Sequence, residues 1–144
     1  MTKNTGKIYK VFVSSTYRDN EERRKILQDV IMRAGMIWHG MELFPASTNP
    51  VVDECLRYVK EADVLVGIIA HRYGWEPDGK KSITEMEYDA AEERLMFLID
   101  PSLPVNPQKD YDEGFFLIRD GMSNLIYHRR ILKLRYFLNK INNN

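Results

Sequence analysis

Seven residues in the middle of the chain, Val64-Leu65-Val66-Gly67-Ile68-Ile69-Ala70, limit what it can fold into more than any other stretch. They are apolar throughout and do not alternate, so a strand built from them needs burial on both faces. The centre of a parallel sheet with helices on each side provides that environment. Leu95 to Ile99 is another unbroken apolar strand, and Ile8 to Val13 is β-branched and aromatic before a polar Ser14-Ser15-Thr16 loop. Met36-Ile37-Trp38 predicts a short further strand.

Helical signals fall between these strands. Asp19 or Asn20 is placed to cap a helix with Ile26, Leu27, Val30, Ile31 and Ala34 at helical spacing, and Gly35 ends it. Asn49-Pro50 opens a second helix with Val51, Val52, Cys55, Leu56 and Val59 on one stripe. Ser82-Ile83-Thr84-Glu85 matches a capping box and starts a third, running to about Arg94. The order βαβαβαβ with short connections predicts an α/β fold, a doubly wound parallel sheet in three α/β/α layers. Ligands of such sheets sit outside the carboxyl ends of the strands. Here those ends carry Ser14-Ser15-Thr16, the segment from His39 to Phe44, His71-Arg72-Tyr73-Gly74 and Asp100.

The chain has 144 residues, 44% hydrophobic and 29% charged, which predicts one domain with a core of its own and excludes a disordered tail, a collagen-like rod and a coiled coil. The core is expected over residues 7–100, a proline-containing connector over 101–122 with Phe115 to Ile118 as strand or helix, and a helix over 123–144. The amphipathic pattern runs to Asn142-Asn143-Asn144, as expected of a short stand-alone unit or of the N-terminal part of a longer protein. Lys+Arg 21 balance Asp+Glu 21, which argues against nucleic acid or an acidic membrane as partner. The single Cys55 excludes an internal disulfide and a cysteine-built zinc site. No apolar run spans a bilayer and no leader pattern opens the chain, so the expected location is cytoplasmic.

Glu87 is the residue with the sharpest chemical signal. On a helix from Ile83, positions 83, 87, 90 and 91 share a face, and the other three are Ile83, Ala90 and Ala91. A carboxylate therefore falls on the sheet-facing stripe, as an acid/base, a partner for a ligand hydroxyl, or a structural partner of Arg72. Glu85 is the capping-box residue. Ser14 and Ser15 offer hydroxyls for a phosphate or ribose, or form a plain Ser/Thr turn. Arg72, Tyr73 and Trp75 offer a cation and stacking surfaces, or a lid on the sheet. His39, His71 and His128 lack matching ligands, so no metal site is expected. Glycine-rich phosphate loops and a nucleophile elbow are absent.

Four blocks in order resemble one family: Val11-Phe12-Val13-Ser14-Ser15-Thr16-Tyr17-Arg18-Asp19, Met41-Glu42-Leu43-Phe44-Pro45-Ala46, Arg72-Tyr73-Gly74, and Ser82-x-Thr84-Glu85-x-Glu87-Tyr88-x-x-Ala91. It is the TIR-like domain family found at the N-terminus of NACHT and other STAND-type NTPases, and more distantly TIR domains. The resemblance covers roughly Lys7 to Asp100. It implies a flavodoxin-like sheet and an effector role in a prokaryotic, antiphage defence system. It also implies cleavage of the N-glycosidic bond of NAD or a related nucleotide as substrate, with no cofactor. By position Glu87 matches the TIR catalytic glutamate, and Ser14 and Ser15 match the pocket loop. Arg72, Tyr73 and Trp75 would contact substrate. Leu43, Phe44 and Pro45 take the place of a loop used for assembly, so self-association and a C-terminal NTPase or sensor region are the implied partners. Ile83 stands where catalytic TIR domains carry tryptophan. The alternatives are a non-catalytic homotypic interaction module and a nucleotide-binding domain without turnover.

Overall fold

The computed structural model of the chain describes residues 6–43, 52–100, 102–104, 106 and 121–144. The expected start of the second helix at Asn49-Pro50, the loop residues Phe44 and Pro45, and the Phe115 to Ile118 segment lie outside the described residues.

Four strands are described: β1 (Lys10–Ser15), β2 (Ile37–His39), β3 (Val64–Ile69) and β4 (Arg94–Leu98). They form one sheet in the order β2-β1-β3-β4, and all three pairings are parallel. This is the flavodoxin-like doubly wound arrangement, with its topological switch point between β1 and β3. The helices are α1 (Glu21–Arg33), α2 (Val52–Glu61), α3 (Ile83–Ala90) and α4 (Gly121–Asn142).

Register sorts the core into two layers. Val11 and Val13 share a face with Val66 and pack under Ile31 and Leu27 of α1. Phe12 and Leu65 face the other way, against Val59 of α2 and Ala91 just past α3. The central apolar run is thus buried from Leu65 to Ile69 on both faces, as its lack of alternation predicts. A third cluster joins Ile69, Tyr73 and Tyr88 to Phe137 of α4.

The elements end where local chemistry requires. After α1, the Gly35 amide donates to Met32 O and the Met36 amide to Ile31 O, with Gly35 at φ 76°. This is the Schellman pattern, and it needs a residue that tolerates the left-handed region. At its other end Asn20 holds the cap position without capping; its amide turns back to Thr16 O at 3.1 Å.

Three expectations are corrected. Ser14 and Ser15 are the last residues of β1, not loop residues, because Ser14 pairs with Gly67 and Ser15 with Ile68 across the ladder. The third helix stops at Ala90 rather than near Arg94; Ala91 turns extended so that its side chain can enter the core beside Phe12. The last strand is not buried on both faces. As the outer strand of the described sheet, β4 covers Met96 but leaves Leu95 and Phe97 each 52% exposed.

Candidate functional site

Period-two alternation sends the two serines at the end of β1 to opposite sides of the sheet. Ser14 faces α3 and donates to Glu87 Oε1 at 3.1 Å. Ser15 faces α1 and accepts from Arg24 Nη1 at 2.9 Å. One acid and one guanidinium are thereby fixed at the carboxyl end of β1, next to the switch point.

Arg24 is 2% exposed, an unusual position for a guanidinium. Its Nε and Nη2 meet the two carboxylate oxygens of Glu42 at 2.5 and 2.7 Å, and its Nη1 also donates to Val13 O at 3.3 Å. Such a fork satisfies most of the buried donors and locks the plane of the group. Glu42 sits in a single 3-10 turn, Met41–Leu43. Burial works to raise its carboxyl, but the hydrogen bonds and charge of Arg24 prevail and hold it below its ordinary range.

A cavity of about 290 Å³ opens between these elements. Arg24, Ser15 and Glu87 line it together with Cys55 of α2, Ile83 and Thr84 of α3, and Tyr17 and Arg18 after β1. Arg72, Gly74 and Trp75, in the connection from β3 to α3, form a further wall. Gly74 has φ 99°, and a Cβ there would lie 2.7 Å from Thr16 Cγ2, so this wall closes onto the β1 loop only through glycine.

Within this mostly apolar lining Glu87 is 6% exposed. Burial pushes its carboxyl up to about 8, outweighing the opposing pull of the Ser14 hydrogen bond and the Arg24 charge. At neutral pH Glu87 is therefore mainly a neutral carboxylic acid, able to donate a hydrogen bond and to give up its proton if a cation arrives. Burial, with Glu87 and Glu54 nearby, also pushes the Cys55 thiol up to about 11, so it is a poor nucleophile at neutral pH.

Among the residues singled out in the sequence, Ser15, Arg72, Trp75 and Glu87 line this one cavity, and Ser14 stands behind the acid as its hydrogen-bond partner. Trp75 is 54% exposed, so one side of its ring is open to solvent. Tyr73 sits elsewhere. Its side chain is buried in the cluster with Ile69 and Phe137, and its hydroxyl accepts from the Ser82 amide at 3.1 Å and donates to Glu85 Oε2 at 3.3 Å. It thereby completes the capping box, in which Ser82 Oγ accepts from the Glu85 amide at 3.2 Å. Leu43 ends the 3-10 turn with its side chain exposed. Among the described residues no group of His, Cys, Asp or Glu is arranged to hold a metal ion. No described helix is long and apolar enough to cross a membrane.

Arg24 was missed by sequence reasoning. In the run Glu21-Glu22-Arg23-Arg24-Lys25 it reads as one of several solvated charges. The available signal is its spacing: Arg24, Leu27 and Ile31 are three and four residues apart and fall on one stripe of α1.

Topology and site together define a doubly wound α/β domain with an acid-bearing cavity at its switch point. The chain belongs to the family described as a domain of unknown function, DUF4062, whose model matches residues 10–143. That span takes in α4 as well as the sheet. No curated protein matches the sequence.

Proposed function

We propose that this is a TIR-like effector domain that cleaves the N-glycosidic bond of NAD or a related nucleotide, in the setting of prokaryotic antiphage defence. One observation carries the reading: a buried, neutral glutamic acid lines a cavity at the switch point of a parallel sheet, with arginines and exposed aromatics around it. The four sequence blocks that resemble the TIR-like family supply its direction, since Glu87 and Ser14 belong to two of them.

The chemistry follows from the burial of Glu87. A nicotinamide riboside brings a pyridinium cation toward the acid, which favours the carboxylate and expels its proton. The C1′–N bond then breaks and its electron pair stays on the departing nitrogen, leaving neutral nicotinamide. Positive charge moves onto the ribose, still facing the carboxylate, so Glu87 stabilises the oxocarbenium ion as it develops. Water adds at C1′, and its proton passes to Glu87, which restores the neutral acid; the one proton released overall is the one expelled on binding. Ser14 holds the carboxyl plane, Arg72 and Arg18 are placed for phosphate, and Trp75 and Tyr17 offer stacking faces at the rim. The cavity volume is at the lower end of small-molecule sites, so it suits the riboside half while the rest of the nucleotide lies outside.

The rival reading, a homotypic interaction module, draws on a separate observation: Leu95 and Phe97 on β4 and Leu43 on the 3-10 turn are exposed. Nicotinamide release from NAD separates the two. It would be followed by chromatography at high protein concentration, with and without a crowding agent, for wild type and Glu87→Ala. The glycosidase reading predicts release by wild type and a loss of roughly a hundredfold or more in the variant. Equal release by both would move the site away from Glu87. Silence from an assembled wild type would leave the module.

A further inference from the structure

The connection between β3 and α3 provides one wall of the cavity, yet it contains no regular structure from His71 to Ser82. Its ends are tied locally. The Ile83 amide donates to Trp75 O at 3.1 Å, and the Ser82 amide donates to the Tyr73 hydroxyl. Its middle is held from a distant part of the chain. Lys133 of α4 lays its ammonium against the Glu76 carboxylate, donates to Lys80 O at 2.6 Å and reaches Gly79 O at 3.3 Å. An ammonium has three donors, and all three point to this single turn.

The same helix also grips the element that carries the acid. Phe137 packs edge-on against Tyr73 and Tyr88, with ring centroids 6.4 and 5.4 Å away. Lys140 pairs with Asp89 at 2.5 Å, and the Asn144 side-chain amide donates to the Tyr88 hydroxyl at 3.1 Å. None of these residues lines the cavity. They act on it through the turn and through α3.

We infer that α4 is the clamp that sets access to the cavity, with Lys133 as the positioning residue that pins the Glu76–Lys80 turn and so holds Arg72, Gly74 and Trp75 in place as a closed wall. Displacing α4 withdraws the ammonium and the Phe137 ring together, and the wall loosens while the sheet stays folded. A partner or a neighbouring domain that takes hold of α4 therefore controls the site without touching it. The inference concerns access and holds whether the ligand is cleaved or only bound.

Cys55 provides the readout, because it is the chain's single cysteine, buried, and part of the cavity lining. A small disulfide reagent at mildly alkaline pH would report wall opening as a labelling rate, and hydrogen exchange would be followed at the Ser82 and Ile83 amides. Lys133→Met is expected to label roughly tenfold faster than wild type, with faster exchange at those two amides and unchanged exchange in β1 and β3. Glu76→Gln removes the same ion pair from the loop side and should give the same pattern, and the double variant should go no further than the faster single one. If Lys133→Met fails to fold, Glu76→Gln alone decides. Wild-type labelling rates would overturn the clamp, as would a rise in exchange spread evenly over the sheet, which would make Lys133 a general stabilising contact.

Discussion

Glu87→Gln is expected to unfold at higher denaturant than wild type at pH 8.5, by about 2–5 kcal/mol, and to show little advantage at pH 5. The amide is isosteric and keeps an acceptor for Ser14, so the substitution removes little except the ability to ionise. In the folded protein burial pushes the Glu87 carboxyl up to about 8, whereas an exposed carboxyl in the unfolded chain titrates near its ordinary value of 4.5. Below that ordinary value both states are neutral and Glu87 has no effect on the pH dependence. Between the two values the folded state holds a proton that the unfolded state has lost, so stability falls as pH rises. Above about 8 both states are ionised, and the folded protein carries the full cost of a desolvated charge. Glutamine is free of that cost. Urea titrations of both proteins at pH 5, 7 and 8.5 measure the difference directly. An advantage that stays the same across this range would mean that Glu87 titrates as an ordinary surface acid.

Arg24→Met is the second substitution with a large expected effect, a destabilisation of about 2–3 kcal/mol from the buried acceptors that it strands. Methionine fills much of the guanidinium stem but donates nothing. Glu42 then loses both arms of its fork, and Val13 O and Ser15 Oγ lose the donor that Arg24 supplies. Arg24 is the buried member of the pair and Glu42 keeps contact with solvent, so it is Glu42→Gln that leaves a buried charge uncompensated. Arg24→Met with Glu42→Gln is therefore expected to lose less than the sum of the two single changes, which a double-mutant cycle in urea would show. Additive losses would mean that the two side chains do not act on each other. Loss of the Arg24 charge also removes one of the influences that lower the Glu87 carboxyl, so the acid should titrate still higher in the single variant.

The sheet was legible because its evidence is local. Val64 to Ile69 lacks alternation, and only burial on both faces explains that. The position of Glu87 was legible for a related reason: helical spacing put it on the stripe of Ile83 and Ala91. What escaped depends on the partner rather than the residue. Arg24 looks like its charged neighbours until Glu42, eighteen residues on, is brought against it. Tyr73 reads as a rim aromatic, but its hydroxyl is needed inside the capping box, and Phe137 of a remote helix covers its ring. Ser14 and Ser15 read as a pair, yet the ladder continues through both and sends them to different helices. The end of α3 was misplaced because Ala91 leaves the helix for the core, a tertiary demand that alanine's helix preference conceals.

The central claim is that the acid in this cavity is neutral at rest and ionises when a cationic N-glycoside enters. The direct measurement is a pH titration of the Glu87 side-chain carboxyl by carbon NMR, assigned by its absence in Glu87→Gln and repeated with NAD present. The account predicts a midpoint near 8 in the free protein, moving to lower pH when NAD binds. A midpoint in the ordinary carboxylate range, unmoved by NAD, would contradict it.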